Sequence, residues 1–516
     1  LWASCAMAEL PFTMGGAVST SAHYNIAIIG TDLAGLALGA MCAKAGYRVA
    51  VIGQGTRGAL YEHNGHVLCR APHMTYGLSS PPVRKVFDQL GLGLELRNLP
   101  QRLDPGFQVV LPKARVDFTT QSVHFRGELD REFPGERQRI EAFFERVAAI
   151  DKQVEEVLEL GIRLPPQGFR ERLAFRRLVK RFPFLDDEWA IEDPLAGFPH
   201  DHPFRAFAHA PFRFCSTMLP ARPYPATFVR VVNEMRKGIF TFAQGPDTLR
   251  NLFLDIISTA GDVRLRDHVT SIEVRRGKAS QVILRDRRQV VGCDLLVCNT
   301  DPKRVFQLIA QEQQREEFHH LLHALQPVYY TFTGNFVVRT HAIPEAMARH
   351  VFAVSDLSKP LDDDNLVYIA RDIEQGATRS ERDIRTLTAS MRVPISAASH
   401  GAAGAMRLLD VLQERVEAVV PFLSEHLVSR HTPWLKQRSG AGAGTEELDP
   451  LELRPCYGEA IPHTLGTCAI GVPTGYRNIL LGGDLSFGGL GSDAPYVAAQ
   501  HMYSIVRETV TLKSGF

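Results

Sequence analysis

No stretch of this chain approaches the roughly 20 consecutive apolar residues that a membrane span needs. An excess of either charge is also lacking. The 58 Lys and Arg stand against 57 Asp and Glu, a net charge of +1, so no strong field selects nucleic acid or an anionic surface. None of the eight cysteines forms a C-x-x-C pair, and Cys42, Cys293 and Cys298 lie in apolar elements. The set reads as reduced core thiols of a cytoplasmic protein rather than as disulfides or metal ligands. No Ser/His/Asp order and no H-E-x-x-H stands out, so no catalytic side chain is assigned and no metal is expected. Residues 1–23 contain no Lys or Arg and so lack the basic start of a secretory signal; they are expected to be a disordered leader. What is present is a chain of 516 residues, 45% hydrophobic and 22% charged, which suits a large core divided over roughly two to four domains.

The most informative stretch is Tyr24–Gly55, which reads as a βαβ unit. An apolar strand (Asn25–Ile29) runs into Gly30, a small-residue helix follows over about 33–45, and a second apolar strand covers Arg48–Ile52. A dinucleotide-binding turn is written G-x-G-x-x-G, with an acidic residue at the end of the second strand for a ribose. Gly30 and Gly35 supply the first and third glycines. Asp32 stands where the second glycine lets phosphate approach the backbone, and Gly53 and Gln54 stand where the acid belongs. The Asp32 carboxylate would repel phosphate unless it turns away, and it could instead cap the helix. Gln54 offers a weaker amide contact to a ribose; an ordinary Gly-rich loop explains Gly53-Gln54-Gly55 equally well.

Further along, Pro81–Leu90 reads as a short amphipathic helix, 107–125 as a hairpin, and Glu136–Leu160 as a long helix with apolar residues from Ile140 to Leu158 at helical spacing. A helix over about 247–260 precedes a β-meander that turns at Gly277-Lys278, and Leu295–Cys298 is another buried strand. Residues 326–395 read mostly as strands, Met406–Arg430 as an amphipathic helix, 397–405 and 439–444 as loops, 478–484 as a last strand and turn, and 493–509 as a last helix. No internal repeat is present. Nucleotide-type elements at the start, middle and end, with other material between them, predict an α/β fold. Its sheet is assembled from distant segments, with a second domain inserted twice.

The Gly30 turn, PHMTYG (72–77), CNTDP (298–302) and LLGGD (480–484) occur in this order. In these motifs the chain resembles the phytoene desaturase-like flavoproteins of the amine oxidase superfamily, and the resemblance extends over nearly the whole chain from Tyr24. It implies a Rossmann-like FAD/NAD(P)-binding domain built from residues 24–95, 240–325 and 450–516. An inserted α+β substrate domain with a mostly antiparallel sheet would cover 96–239 and 326–449. It implies FAD as cofactor and the dehydrogenation or isomerisation of a lipophilic substrate. Carried over, Gly30, Leu33, Ala34 and Gly35 would face the pyrophosphate, with Asp32 among them. Val269 would meet the adenine through its backbone. Gly483 and Asp484 would hold the ribityl–phosphate region, and Gly489 and Leu490 would present backbone N–H groups near the isoalloxazine edge. The family's two-glycine-arginine element is not recognisable in RGALYE (57–62). Asp32, Gly53 and that missing element fall on the same half of the cofactor. They support an alternative of another class, a flavin-free binding protein on the same architecture, like the Rab GDP-dissociation inhibitors. A nicotinamide-dependent reductase fails for lack of the ribose-binding acid.

Three further features allow two readings each. His200 and His202 could ligate zinc, although the neighbouring prolines favour a surface loop. By the resemblance, His73 and Tyr76 would lie on the substrate side of a flavin; structural hydrogen bonding explains them as well. The segment 165–225 is rich in Pro, Phe and Arg, with Phe169, Phe175, Phe182, Phe184, Phe204, Phe207, Phe212 and Phe214. We read it first as cap core, with a lipid-facing lid in peripheral contact with a membrane as the alternative.

Overall fold

A computed structural model gives the fold. It describes residues 22–512 except 162–165, 167, 188, 216, 219–222, 286–288, 372–382, 438–445, 459–462, 465, 466, 469 and 484. Residues 1–21 of the expected leader, the loop 439–444 and Asp484 therefore lie outside the described residues.

From its start the described chain runs β1 (Ala22–Ile29), α1 (Leu33–Lys44), β2 (Val49–Ile52) and the hairpins β3 (Leu60–His63)–β4 (His66–Cys69) and β5 (Phe107–Leu111)–β6 (Ala114–Phe118). Helices α2 (Arg137–Glu159), α3 (Phe169–Arg181), α4 (Pro203–Arg213), α5 (Pro225–Lys237) and α6 (Thr248–Ser258) follow. Strands β7 (Asp262–Arg264), β8 (Val269–Arg275), β9 (Lys278–Leu284) and β10 (Val290–Cys298) come next, then β11 (Pro327–Arg339), β12 (His350–Val354), β13 (Leu366–Arg371) and β14 (Ile384–Pro394). The chain closes with α7 (Gly401–Glu417), β15 (Leu427–His431), β16 (Leu435–Gln437), β17 (Glu446–Leu448), β18 (Arg454–Tyr457), β19 (Ile479–Leu481) and α8 (Ala494–Thr509).

The first sheet has seven strands in the order β7-β2-β1-β10-β9-β8, with β19 on the other side of the upper part of β10. Strands β7, β2, β1, β10 and β19 are parallel. All but the edge strand β7 (Asp262-Val263-Arg264) are near-continuous apolar runs, because helices cover one face and the meander with Phe306 and Phe318 covers the other. Helix α1 is buried along ten of its twelve residues and has no polar face. Its glycines let it lie close: a Cβ on Gly39 would come within 2.8 Å of Ile257 and 2.9 Å of Ile28. The meander turns at Arg276-Gly277, both at positive φ.

The second sheet has eight strands in the order β15-β11-β14-β13-β12-β5-β6, with β18 also paired to β11, and is antiparallel except for β12 against β5. The fold is thus mixed α/β, a Rossmann-like domain with an additional, mostly antiparallel sheet domain. Strand β18 pairs with β11 in the second sheet, so the segment 450–516 is divided between the two sheets.

Three local expectations change. The hairpin ends at Phe118 rather than at residue 125, and Ser122–Glu132 is a helix. Residues 401–405 open α7 rather than lying in a loop, as their alanines favour helix. That helix ends at Glu417, well before Arg430, and the chain turns to become the edge strand β15. In the Phe-rich segment, Phe182, Phe184, Phe204, Phe207 and Phe212 are buried in two core clusters, whereas Phe169 is 83% exposed. Among the described residues, no helix is long and apolar enough to cross a membrane.

One polar cluster ties the layers together. Arg230 of α5 is fully buried and donates to Asp493 at the start of α8 (2.8 Å) and to Asp151 of α2 (3.0 Å), with Glu234 at 2.9 Å. Lys237 reaches Glu155 and Glu234 from the rim. Burial pushes the Glu234 carboxyl up to about 7 against the pull of Arg230.

Candidate functional site

The turn between β1 and α1 is shaped by a side chain from far along the chain. Gly30 has φ +103°, and a Cβ there would lie 2.1 Å from the Asn299 carbonyl oxygen. A Cβ on Gly35 would lie 2.2 Å from Asn299 Cγ. Asn299, at the end of β10, is fully buried. Its Oδ1 accepts from Gly35 N (2.8 Å), and its Nδ2 donates to the carbonyl oxygens of Asp32 (2.8 Å) and Gly30 (3.4 Å). The two glycines are therefore required by protein packing, whatever ligand the turn holds. Asn299 also ties the turn to β19, because a Cβ on Gly482 would lie 3.0 Å from its Oδ1.

Asp32 occupies the N-cap position of α1 in an extended conformation (φ −65°, ψ 152°), but its side chain makes no capping bond. The alternative role as a cap is not taken up, and the Gly35 N–H goes to Asn299. The carboxylate lines a cavity and lies beside Gly483, where a Cβ would be 2.8 Å from Asp32 Oδ2. Leu33 and Ala34 complete the first turn of α1.

At the end of β2, Gly53 cannot be the lost acid in a simple sense. A Cβ there would lie 2.0 Å from the Leu265 carbonyl oxygen, because the backbone after β7 passes against it. Gln54 follows at φ +53° and turns its carboxamide onto the first residue of β8. Val269 N donates to Gln54 Oε1 (2.6 Å), and Gln54 Nε2 donates to Val269 O (3.0 Å). A carboxamide paired with one N–H and one C=O makes the same pair of bonds as the amino and ring-nitrogen edge of adenine. Arg57, in the RGALYE stretch, pairs with Glu452 (3.0 Å) and Asp449.

These residues open on one cavity of about 610 Å³. Asp32, Gln54 and Thr300 stand at one end, and Tyr368, Ser390 and Arg392 of the second sheet stand at the other. At the start of α8 the wall is Gly488, Gly491 and Ala494. Gly489 and Leu490 are buried behind it, and Leu490 N donates to Phe487 O within the turn (2.8 Å). Arg392 is buried with its guanidinium 5.5 Å from the Phe214 ring, and burial lowers its pKa to about 10.

The other candidates do not line this cavity. His73 faces a second cavity, of about 440 Å³, and its Nε2 contacts Thr75 Oγ1 at 3.2 Å. Tyr76 is buried, and its hydroxyl accepts from Ser492 N (3.3 Å) against Gly491, a structural role. His202 caps α4, with Nδ1 accepting from Phe204 N (3.2 Å). Asn299, the organiser of the turn, was present in the CNTDP motif, but its role needs the fold to be seen. The Gln54–Val269 pair carries no sequence signal at all.

The cavity fits a dinucleotide on one condition. The wall beside α8 is smooth backbone at Gly488 and Gly491, whereas at the other end an adenine would have to displace the Gln54 carboxamide from Val269.

Residues 28–90 match the NAD(P)-binding Rossmann-like domain family. No curated protein matches the chain. Among solved structures, an oxidoreductase from Methanosarcina mazei is 15% identical, with a TM-score of 0.57 over 93% of this chain and 99% of that one. A putrescine oxidase bound to putrescine is 14% identical, with a TM-score of 0.55 over 95% of this chain and all of its own. Cyclohexylamine oxidase from Brevibacterium oxydans is 14% identical, with a TM-score of 0.51 over 94% and 99%. The chain thus carries a Rossmann-like NAD(P)-binding domain joined to a second sheet, a fold it shares with these oxidoreductases.

Proposed function

We propose that this protein is an FAD-dependent oxidoreductase that dehydrogenates or isomerises a substrate with a lipophilic body. The observation that carries this reading is the single cavity joining the Gly30 turn to the second sheet. When bound, the flavin supplies the hydride acceptor. The chain's own residues then have the tasks of binding and orientation. Backbone of the Gly30–Gly35 turn holds the phosphates, and Gly488 and Gly491 leave room beside α8. Phe214, Tyr368 and Tyr457 offer apolar surface to the substrate, and Arg392 offers a cation for a polar end. The test is reconstitution: purified protein incubated with FAD and desalted should retain a flavin spectrum that bleaches on anaerobic reduction.

A second reading is favoured by one specific observation. Gln54 already satisfies both polar groups of Val269, as a protein that has given up its nucleotide would be expected to do. In that reading the same cavity binds a ligand without flavin chemistry. Protein that stays colourless after incubation with FAD would support it.

A further inference from the structure

Two clusters among the described residues bring three metal-ligating side chains together. Asp151, Glu155 and Glu234 already hold two cations, Arg230 and Lys237, and need no third. The other cluster contains no basic group of that kind. His63 ends β3, His431 ends β15 and Glu446 begins β17, so three strands distant in sequence deliver one side chain each. One ligand atom from each lies within 4.8 Å of the other two.

We propose that His63, His431 and Glu446 form a binding site for one divalent transition-metal ion of the zinc class. Two imidazoles and one carboxylate are a donor set that suits zinc. With metal–ligand bonds of about 2.0–2.1 Å in a tetrahedron, neighbouring ligand atoms sit about 3.4 Å apart. His431 Nε2 and Glu446 Oε1 are 3.4 Å apart. The His63 ring stacks on His431 with centroids 3.7 Å apart and 20° between planes. Closing the site turns the His63 ring out of that stack, at the end of a hairpin whose tip is open to solvent. The fourth position is left to water.

A further observation supports the assignment. His431 is held from behind. Its Nδ1 lies 2.9 Å from Tyr61 Oη, which accepts from Asn335 Nδ2 (3.1 Å). Asn335 is fully buried and is fixed in turn by the Cys69 carbonyl and the Thr388 hydroxyl, both at 2.8 Å. Metal at Nε2 selects the tautomer with Nδ1–H donating to Tyr61, the outer-shell arrangement that orients metal-binding histidines. None of the three ligands lines either large cavity. The ion would clip the β3–β4 hairpin to the edge of the second sheet, and that hairpin leads directly to Arg70 and Pro72 in the wall of the first cavity.

The test uses the full chain stripped with a chelator, then titrated with Zn²⁺ by calorimetry and with Co²⁺ by visible absorption. One equivalent should bind, and Co²⁺ should show the intense absorption of a four-coordinate site. His63→Ala and Glu446→Gln, both at partly exposed positions, should each weaken binding at least about tenfold, and Tyr61→Phe by about tenfold to a hundredfold. His23→Ala, at a surface histidine, should change nothing. Failure of the wild-type chain to take up a stoichiometric ion would overturn the proposal. So would affinities for His63→Ala and Glu446→Gln equal to that of the wild type.

Discussion

The Gln54 carboxamide and the Val269 backbone exchange two hydrogen bonds, of 2.6 and 3.0 Å, across 215 positions of sequence. The pair joins the end of β2 to the start of β8 and closes one end of the largest cavity in which the Gly30 turn takes part. It occupies the N–H and C=O that the proposed reading gives to an adenine edge, and a dinucleotide bound in that way would have to compete with it.

Gln54→Ala removes that competitor. Each neutral bond has a net worth of about 0.5–1.5 kcal/mol, so FAD affinity should rise roughly tenfold. Flavin fluorescence quenching reads the change. A fall in affinity would show instead that Gln54 holds the nucleotide.

Asp32 contributes independently. Its carboxylate lines the cavity where the turn offers backbone N–H groups, and a phosphate about 4 Å away would be repelled by about 4 kcal/mol at an effective dielectric near 20. Asp32→Gly should raise FAD affinity at least about tenfold. Unchanged affinity would mean that phosphate never approaches this carboxylate.

Much of the frame was legible because it is local. Apolar runs and helical periods fixed β1, α1, β2, α2 and the meander to within a few residues. Where composition misled, the cause was physical: the Ala-rich stretch 401–405 reads as a small-residue loop, yet alanine is the best helix former, and it opens α7. The departures at Asp32, Gly53 and Gln54 were visible as residues, but their consequences were not. That Gly53 is backed by the Leu265 carbonyl, and that Gln54 is turned onto Val269, depends on the path of the chain after β7. Asn299 is the extreme case, since it acts on Gly35 from 264 positions away.

Asn299→Ala should loosen the turn without adding any steric clash. It leaves the buried Gly35 N–H without its acceptor and opens a gap against Gly35. The expected loss is about 2–3 kcal/mol of stability, read as a lower denaturant midpoint. Retention of wild-type stability would show that the turn is held by other contacts.

The Arg230 cluster makes stability depend on pH. The folded pKa of Glu234, about 7, lies above its ordinary value of 4.5, so the folded state holds the proton more tightly. The resulting stabilisation is fully present below pH 4.5 and is lost as pH rises through 7. Glu234→Gln should remove this dependence. Relative to that variant, the wild type should lose up to about 3 kcal/mol between pH 4.5 and 8, measured by urea unfolding at each pH. Parallel curves for the two proteins would exclude Glu234 as the titrating group.

The most direct measurement is an equilibrium titration with FAD of the wild-type chain beside the Asp32→Gly/Gln54→Ala double variant. One equivalent bound by both, and bound more tightly by the variant, is the outcome expected if the crevice over the Gly30 turn is a dinucleotide site narrowed by these two side chains. Binding by neither protein, with both folded, would contradict that description and leave the cavity to a different ligand.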